Sequence, residues 1–139
     1  MSTDPGRRLG PRSEAAPALV DQEFDSGTLY ALRAAVAAHA AAAGLDQNQV
    51  YDVVAAAHEL AANTVQHGAG HGRIRLWADG QFLYCQVSDG GGDHAGTDGS
   101  ASWQTGHGRG LWLVRQVADQ LILDHDASGT TATARFTLS

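Results

Sequence analysis

Glu59 and Asn63 are spaced i,i+4, so a helix that contains both presents them together on one side. A carboxylate so placed can take a proton from an attacking hydroxyl or water, and an amide oxygen is a neutral ligand for a hard cation such as Mg2+. A merely solvated helix face would carry Lys or Arg among its acids. This one is filled with Ala55, Ala56 and Ala62, and no Lys or Arg occurs between Ala34 and Gly72. Taken alone, the pair also fits an exposed Glu and Asn on a surface helix.

Three other runs carry chemistry of their own. Val87-Ser88-Asp89-Gly90-Gly91 puts an acid at the end of an apolar strand and follows it at once with glycine. Such an acid can accept a hydrogen bond from an exocyclic amine of a base, and a nearby Thr hydroxyl can share it. Gly106-His107-Gly108-Arg109-Gly110-Leu111 leads glycines into a helix, whose unpaired N–H groups and partial positive charge hold phosphate oxygens without a lysine. Gly129-Thr130-Thr131 opens the last strand. Each run alone also reads as a flexible linker or a turn.

The elements that must position these residues follow from periodicity. Val50, Val53, Val54, Ala57, Leu60, Ala61, Thr64 and Val65 form the core stripe of a helix capped by Asp46 and stopped at Gly68. Before it, Ala18–Phe24 reads as an edge strand. A helix capped by Ser26 or Thr28 then runs to about Ala43 and stops at Gly44. After it, Gly72–Ala78 and Phe82–Ser88 alternate around Asp79-Gly80 as a hairpin. A glycine-rich stretch from Asp89 to Gly110 precedes a helix with Leu111, Leu113, Val114, Val117, Ala118 and Leu121 on its buried side. Strands Gln120–Asp124 and Thr131–Leu138 close the chain. The order predicts an α+β, two-layer sandwich: a mixed, mostly antiparallel sheet with helices on one face.

Composition narrows the partners. The chain of 139 residues is long enough for one domain with a sizeable core. We expect a flexible tail over residues 1–15 and the domain over residues 16–139. A net charge of −6 argues against a nucleic-acid footprint, and no apolar run approaches the ~18 residues of a membrane span. All nine basic residues are Arg, which excludes a lysine-bearing phosphate loop and the strand lysine of ordinary protein kinases. Cys85 cannot form an internal disulfide and reads as a small buried hydrophobe, so a reduced, cytoplasmic location is expected. His67 and His71 lack a Cys or carboxylate at ligand spacing, which argues against zinc, and His58 reads as packing or a polar contact.

The run Glu59-x-x-x-Asn63, then Asp89-x-Gly91, then Gly106-x-Gly108-x-Gly110-Leu111, then Gly129-Thr130 resembles the N, G1, G2 and GT boxes of the Bergerat-fold ATPases. That superfamily includes gyrase, histidine kinases and mismatch-repair ATPases. The resemblance covers the chain from about residue 16, and stand-alone versions of this length look like the bacterial anti-sigma-factor serine kinases. It implies ATP and Mg2+ as cofactors, with Asn63 coordinating Mg2+ and Glu59 as general base. It further implies that Asp89 reads the adenine amine, Gly91 shapes the pocket and Thr130 assists at the base. Gly108 and Gly110 approach the phosphates, and Gly106, Arg109 and Leu111 of the same run count among the nucleotide-binding residues. Residues 93–107, which include Trp103, would be a lid.

The implied partners are a sigma factor, met by Arg33 of the first helix, and a STAS-type anti-anti-sigma protein as phosphoacceptor. A homodimer is implied too. One position departs from the pattern: Gly92 is followed by Asp93 where the G1 box has its second glycine, which bears on lid hinging and on the approach to the β-phosphate. Two other readings stand beside the kinase. One is a nucleotide-binding partner-switch module without phosphotransfer, and the other is the detached ATPase part of a sensor histidine kinase.

Overall fold

The computed structural model of the chain describes residues 18–89, 108–126 and 129–138. The expected tail, Gly91, Asp93, Trp103 and Gly106 lie outside them. The elements run β1 Val20–Asp25, α1 Leu29–Ala42, α2 Gln47–His67, β2 His71–Ala78, β3 Phe82–Asp89, α3 Gly108–Val117, β4 Gln120–Asp126 and β5 Gly129–Thr137. Among the described residues, three helices and five strands make the expected α+β sandwich.

The sheet has the order β1-β2-β3-β5-β4, and all four pairings are antiparallel where a mixed sheet was expected. Two helices separate β1 from β2, so the chain returns reversed. A single helix separates β3 from β4, which therefore point the same way. They do not pair, because β5 lies between them.

Strand alternation sends Ile74, Leu76, Leu83, Cys85, Val87, Ala132, Ala134 and Phe136 to one side, all fully or nearly buried. The helices cover that side with Leu32, Val36 and Ala40 of α1, Val53, Ala57 and Leu60 of α2, and Leu111 and Val114 of α3. The opposite side carries Trp77 stacked on Tyr84 at 5.2 Å, and Arg135 over the Phe82 ring at 4.2 Å. It also carries Arg73, whose Nε donates to Asp21 Oδ1 at 2.6 Å.

Helix α2 sets the geometry of everything else. Asp46 and Gln49 form a reciprocal capping box: Asp46 Oδ1 accepts from the Gln49 N–H at 2.8 Å, and Gln49 Oε1 accepts from the Asp46 N–H at 3.1 Å. Gln49 Nε2 then donates to the Thr137 carbonyl at 3.1 Å, fixing the start of α2 at the end of β5. Thr137 pairs with Phe82, the first residue of β3. The 21 residues of α2 extend about 31 Å, slightly more than the eight residues of β3 at about 27 Å. Helix and strand run side by side, and α2 finishes where β3 does, beside Asp89.

Several local expectations shift. Thr28 occupies the N-cap of α1 without a side-chain cap, because its Oγ1 accepts from the Asp25 N–H at 2.9 Å and closes the turn from β1 instead. Gly44 ends α1 as expected, with a φ of +107°. The hairpin turn centres on Gly80-Gln81, since the Asp79 N–H bonds the Phe82 carbonyl at 3.1 Å and Asp79 Oδ1 accepts from the Phe82 N–H at 2.9 Å. Leu121, expected on the last helix, belongs to β4: α3 ends at Val117, and the Asp119 N–H bonds the Arg135 carbonyl at 2.7 Å, which starts the strand.

Candidate nucleotide site

Asp89 is the last residue of β3 and shares the helix-facing side with Val87 and Cys85. Alternation therefore aims a carboxylate at the helix layer one step past the point where the apolar rows stop. Its ladder partner is Gly72, and the Thr131–Ser88 pair puts Thr130 beside it in β5. Thr130 is buried. Gly129, at a φ of +132°, brings its own backbone so close that a β-carbon there would stand 3.2 Å from the Asp89 carbonyl. Asp89 is thus walled by two chain segments, β2 and β5, each presenting a glycine or a small residue.

The third wall is the end of α2. Gly68, its C-cap residue, lies against the Asp89 carboxylate so closely that a β-carbon would overlap Oδ2 and sit 3.2 Å from Cγ. Asn63 lies five positions back along α2 and is only 8% exposed. Its Nδ2 is buried without a hydrogen-bond partner among the described residues, an arrangement that costs stability. Glu59, one turn earlier, is half-buried. Ala56, one of the three alanines on the polar side of the helix, is fully buried on the same flank as Asn63. That flank, opposite the core stripe by periodicity and too poor in charge for a merely solvated face, is partly covered by protein.

Helix α3 packs along α2. Its C-terminal end is fixed far from Asp89 by the Asp119–Arg135 hydrogen bond, and its glycine start stands one helix length, about 15 Å, away from that anchor. Gly108, Arg109 and Gly110 form the first turn of α3. Leu111 is 2% exposed in the hydrophobic core, so it can offer a ligand only its backbone. Gly91 and Gly106 are outside the described residues. Arg33 is half-buried on α1, and Nδ1 of His58 is buried without a partner among the described residues. A surface cleft of about 470 Å³ between the end of β1 and residues 69–71 contains none of the expected site residues.

Sequence reasoning missed Gly68 and Gly72 as parts of the site. Both lie in the short run Gly68-Ala69-Gly70-His71-Gly72, whose glycine density was the available signal. A helix stop and a strand start account for two glycines there without reference to Asp89.

An antiparallel sheet under three helices, with the longest helix ending against an acid at a strand terminus, defines an α+β sandwich of the ATPase type. The family model for the histidine kinase-like ATPase domain matches residues 23–136, and the chain belongs to that family. ATP binding follows from membership. A search of the curated proteins finds no match. No helix among the described residues is long and apolar enough to cross a membrane.

Proposed function

We propose that the domain is an ATP- and Mg2+-dependent protein serine/threonine kinase that also acts as an anti-sigma factor. Its phosphoacceptor is a small STAS-type anti-anti-sigma protein, and it works in the cytoplasm, as a homodimer. The observation that carries the reading is Asn63: a buried amide whose Nδ2 has no partner among the described residues, one turn from Glu59, on the helix that ends against Asp89. A donor so placed can serve a phosphate oxygen, while the amide oxygen is the atom that can face Mg2+.

Each residue then has a task. Asp89 accepts a hydrogen bond from the adenine amine, with Thr130 beside it and Gly91 shaping the pocket. The backbone of Gly106, Gly108, Gly110 and Leu111, together with Arg109, receives the phosphates in a chain that has no lysine. Glu59 takes the proton of the partner's serine or threonine hydroxyl as its oxygen bonds to the γ-phosphorus. The bond from that phosphorus to the bridging oxygen breaks, and ADP leaves. Mg2+, held through Asn63, supplies charge neutralisation on the phosphates when bound. Because phosphoryl transfer asks mainly for positioning and charge compensation, one base and one metal ligand suffice in a domain of this size. Arg33 of α1 is assigned to the sigma-factor contact.

The test uses labelled ATP, Mg2+ and the cognate partner. Acid-stable label is expected on the partner, and Glu59→Gln abolishes it while leaving nucleotide binding intact. A second reading, a partner-switch module without transfer, is favoured by Asp93 in place of the second G1 glycine. It wins if wild type and Glu59→Gln bind ATP alike and neither transfers phosphate. The ATP assignment itself is read from thermal stabilisation, about 2.7 kcal/mol at ~100 times the dissociation constant. No stabilisation by ATP or ADP with Mg2+ would overturn it.

A further inference from the structure

We infer that Gly68 is a specificity-positioning residue: the space left by its missing side chain holds the Asp89 carboxylate in the orientation that selects adenine over hypoxanthine. The inference rests on the reading of Asp89 as the acceptor for the base amine.

The turn from α2 into β2 contains two glycines with different reasons to be there. Gly70 has a φ of +92°, and nothing lies within 4 Å of where its β-carbon would be, so it serves the backbone alone. Gly68 has a φ of −110°, outside the left-handed range, with a ψ of −137°. A side chain at Gly68 meets occupied space: its β-carbon would overlap Asp89 Oδ2 and approach the Thr64 carbonyl to 3.0 Å. Asp89 is short, with its Cα fixed in the ladder opposite Gly72. A methyl group at Gly68 is accommodated by rotating the carboxylate, the mobile end of that side chain, together with a shift of a few tenths of an ångström away from the Thr64 carbonyl. The fold survives such a rotation, and the aim of the acceptor does not.

The chemistry at stake is the difference between an amino group and a carbonyl at one position of a purine. A fixed carboxylate accepts from the adenine amine and faces an acceptor when the base is hypoxanthine. A site whose polar group is left unmatched discriminates strongly. Turning the carboxylate removes both the attraction and the rejection.

The experiment measures dissociation constants for ADP and IDP, by calorimetry, in wild type, Gly68→Ala, Gly70→Ala and Asp89→Asn. Wild type is expected to prefer ADP. Gly68→Ala weakens ADP by about tenfold to a hundredfold, the loss of a charge-assisted hydrogen bond, and leaves IDP as tight as in wild type or tighter, since the rejection is removed too, so the preference collapses. Gly70→Ala lowers the melting temperature through backbone strain and keeps the preference, a result that a general loosening of the turn would not give.

A Gly68→Ala protein with the wild-type ADP-to-IDP ratio, when Asp89→Asn has lost it, overturns the role of Gly68 alone. An unchanged ratio in Asp89→Asn overturns the adenine-reading role of Asp89 and this inference with it. Should Gly68→Ala fall apart at assay temperature, the Gly68→Ala/Asp89→Ala double variant regains stability if the carboxylate is the group displaced. No regain overturns the inference.

Discussion

Gly72 of β2 packs against the backbone of Ser88 in β3 so closely that a β-carbon on Gly72 would overlap the Ser88 carbonyl oxygen and stand 2.9 Å from Phe24 Cζ and 3.1 Å from Thr64 Cγ2. Unlike the carboxylate beside Gly68, a ladder carbonyl cannot turn away. Gly72→Ala is therefore expected to cost about 1–3 kcal/mol of stability, the range for overpacking a well-filled site. Equilibrium unfolding in denaturant reads it. A variant as stable as wild type would show that β2 and β3 separate more easily than their register implies.

Asn63 leads to the opposite expectation. Its side chain is buried, and Nδ2 has no hydrogen-bond partner among the described residues, so truncation removes no bond that they make to that donor. Asn63→Ala should leave unliganded stability within about 1 kcal/mol of wild type, yet abolish the additional stabilisation by ATP that depends on Mg2+. Melting curves with ATP, with and without Mg2+, separate the two effects. A large loss of stability without nucleotide would make Asn63 structural.

Asp79 sets the acid response of the hairpin. Burial pushes its carboxyl up, but the N–H groups of Gln81 and Phe82 and the Tyr84 hydroxyl outweigh that and hold it below the ordinary value of 3.8. A carboxyl lowered on folding contributes stability that is present above 3.8 and is lost as pH falls through the folded value. The destabilisation caused by Asp79→Ala should thus be full at neutral pH and shrink in acid below that window. Denaturant titrations of both proteins at a series of pH values show whether the curves converge.

Cys85 lies in the middle of β3 with no exposed surface, and burial raises its thiol to about 12. The thiolate is the reactive form. A disulfide reagent at pH 8 should modify the native protein only at the rate of unfolding, and the denatured protein at once. Rapid labelling under native conditions would mean that β3 opens locally.

Much of the fold is legible in the residues because its signals are local. The stripe from Val53 to Thr64 and the Asp46–Gln49 box define α2 within a few positions, since a helix cap and a 3.6-residue period involve neighbours alone. The same holds for β2 and β3, where alternation is interrupted only by the turn at Gly80. The site residues Glu59, Asn63, Asp89 and Thr130 are legible as a pattern of types in order along the chain. Their roles come from resemblance and not from periodicity.

Contacts between distant segments decided the rest. The sequence determined that α2 has a polar flank; the tertiary structure decided that Ala56 and Asn63 on that flank are buried, because neighbouring elements close over it. Both Gly68 and Gly70 read as turn glycines, but only the arrival of Asp89 from β3 makes the first a matter of volume and the second one of backbone angle. No local signal places β5 between β3 and β4, because strand order is fixed by which faces can be buried together, a property of the whole sheet.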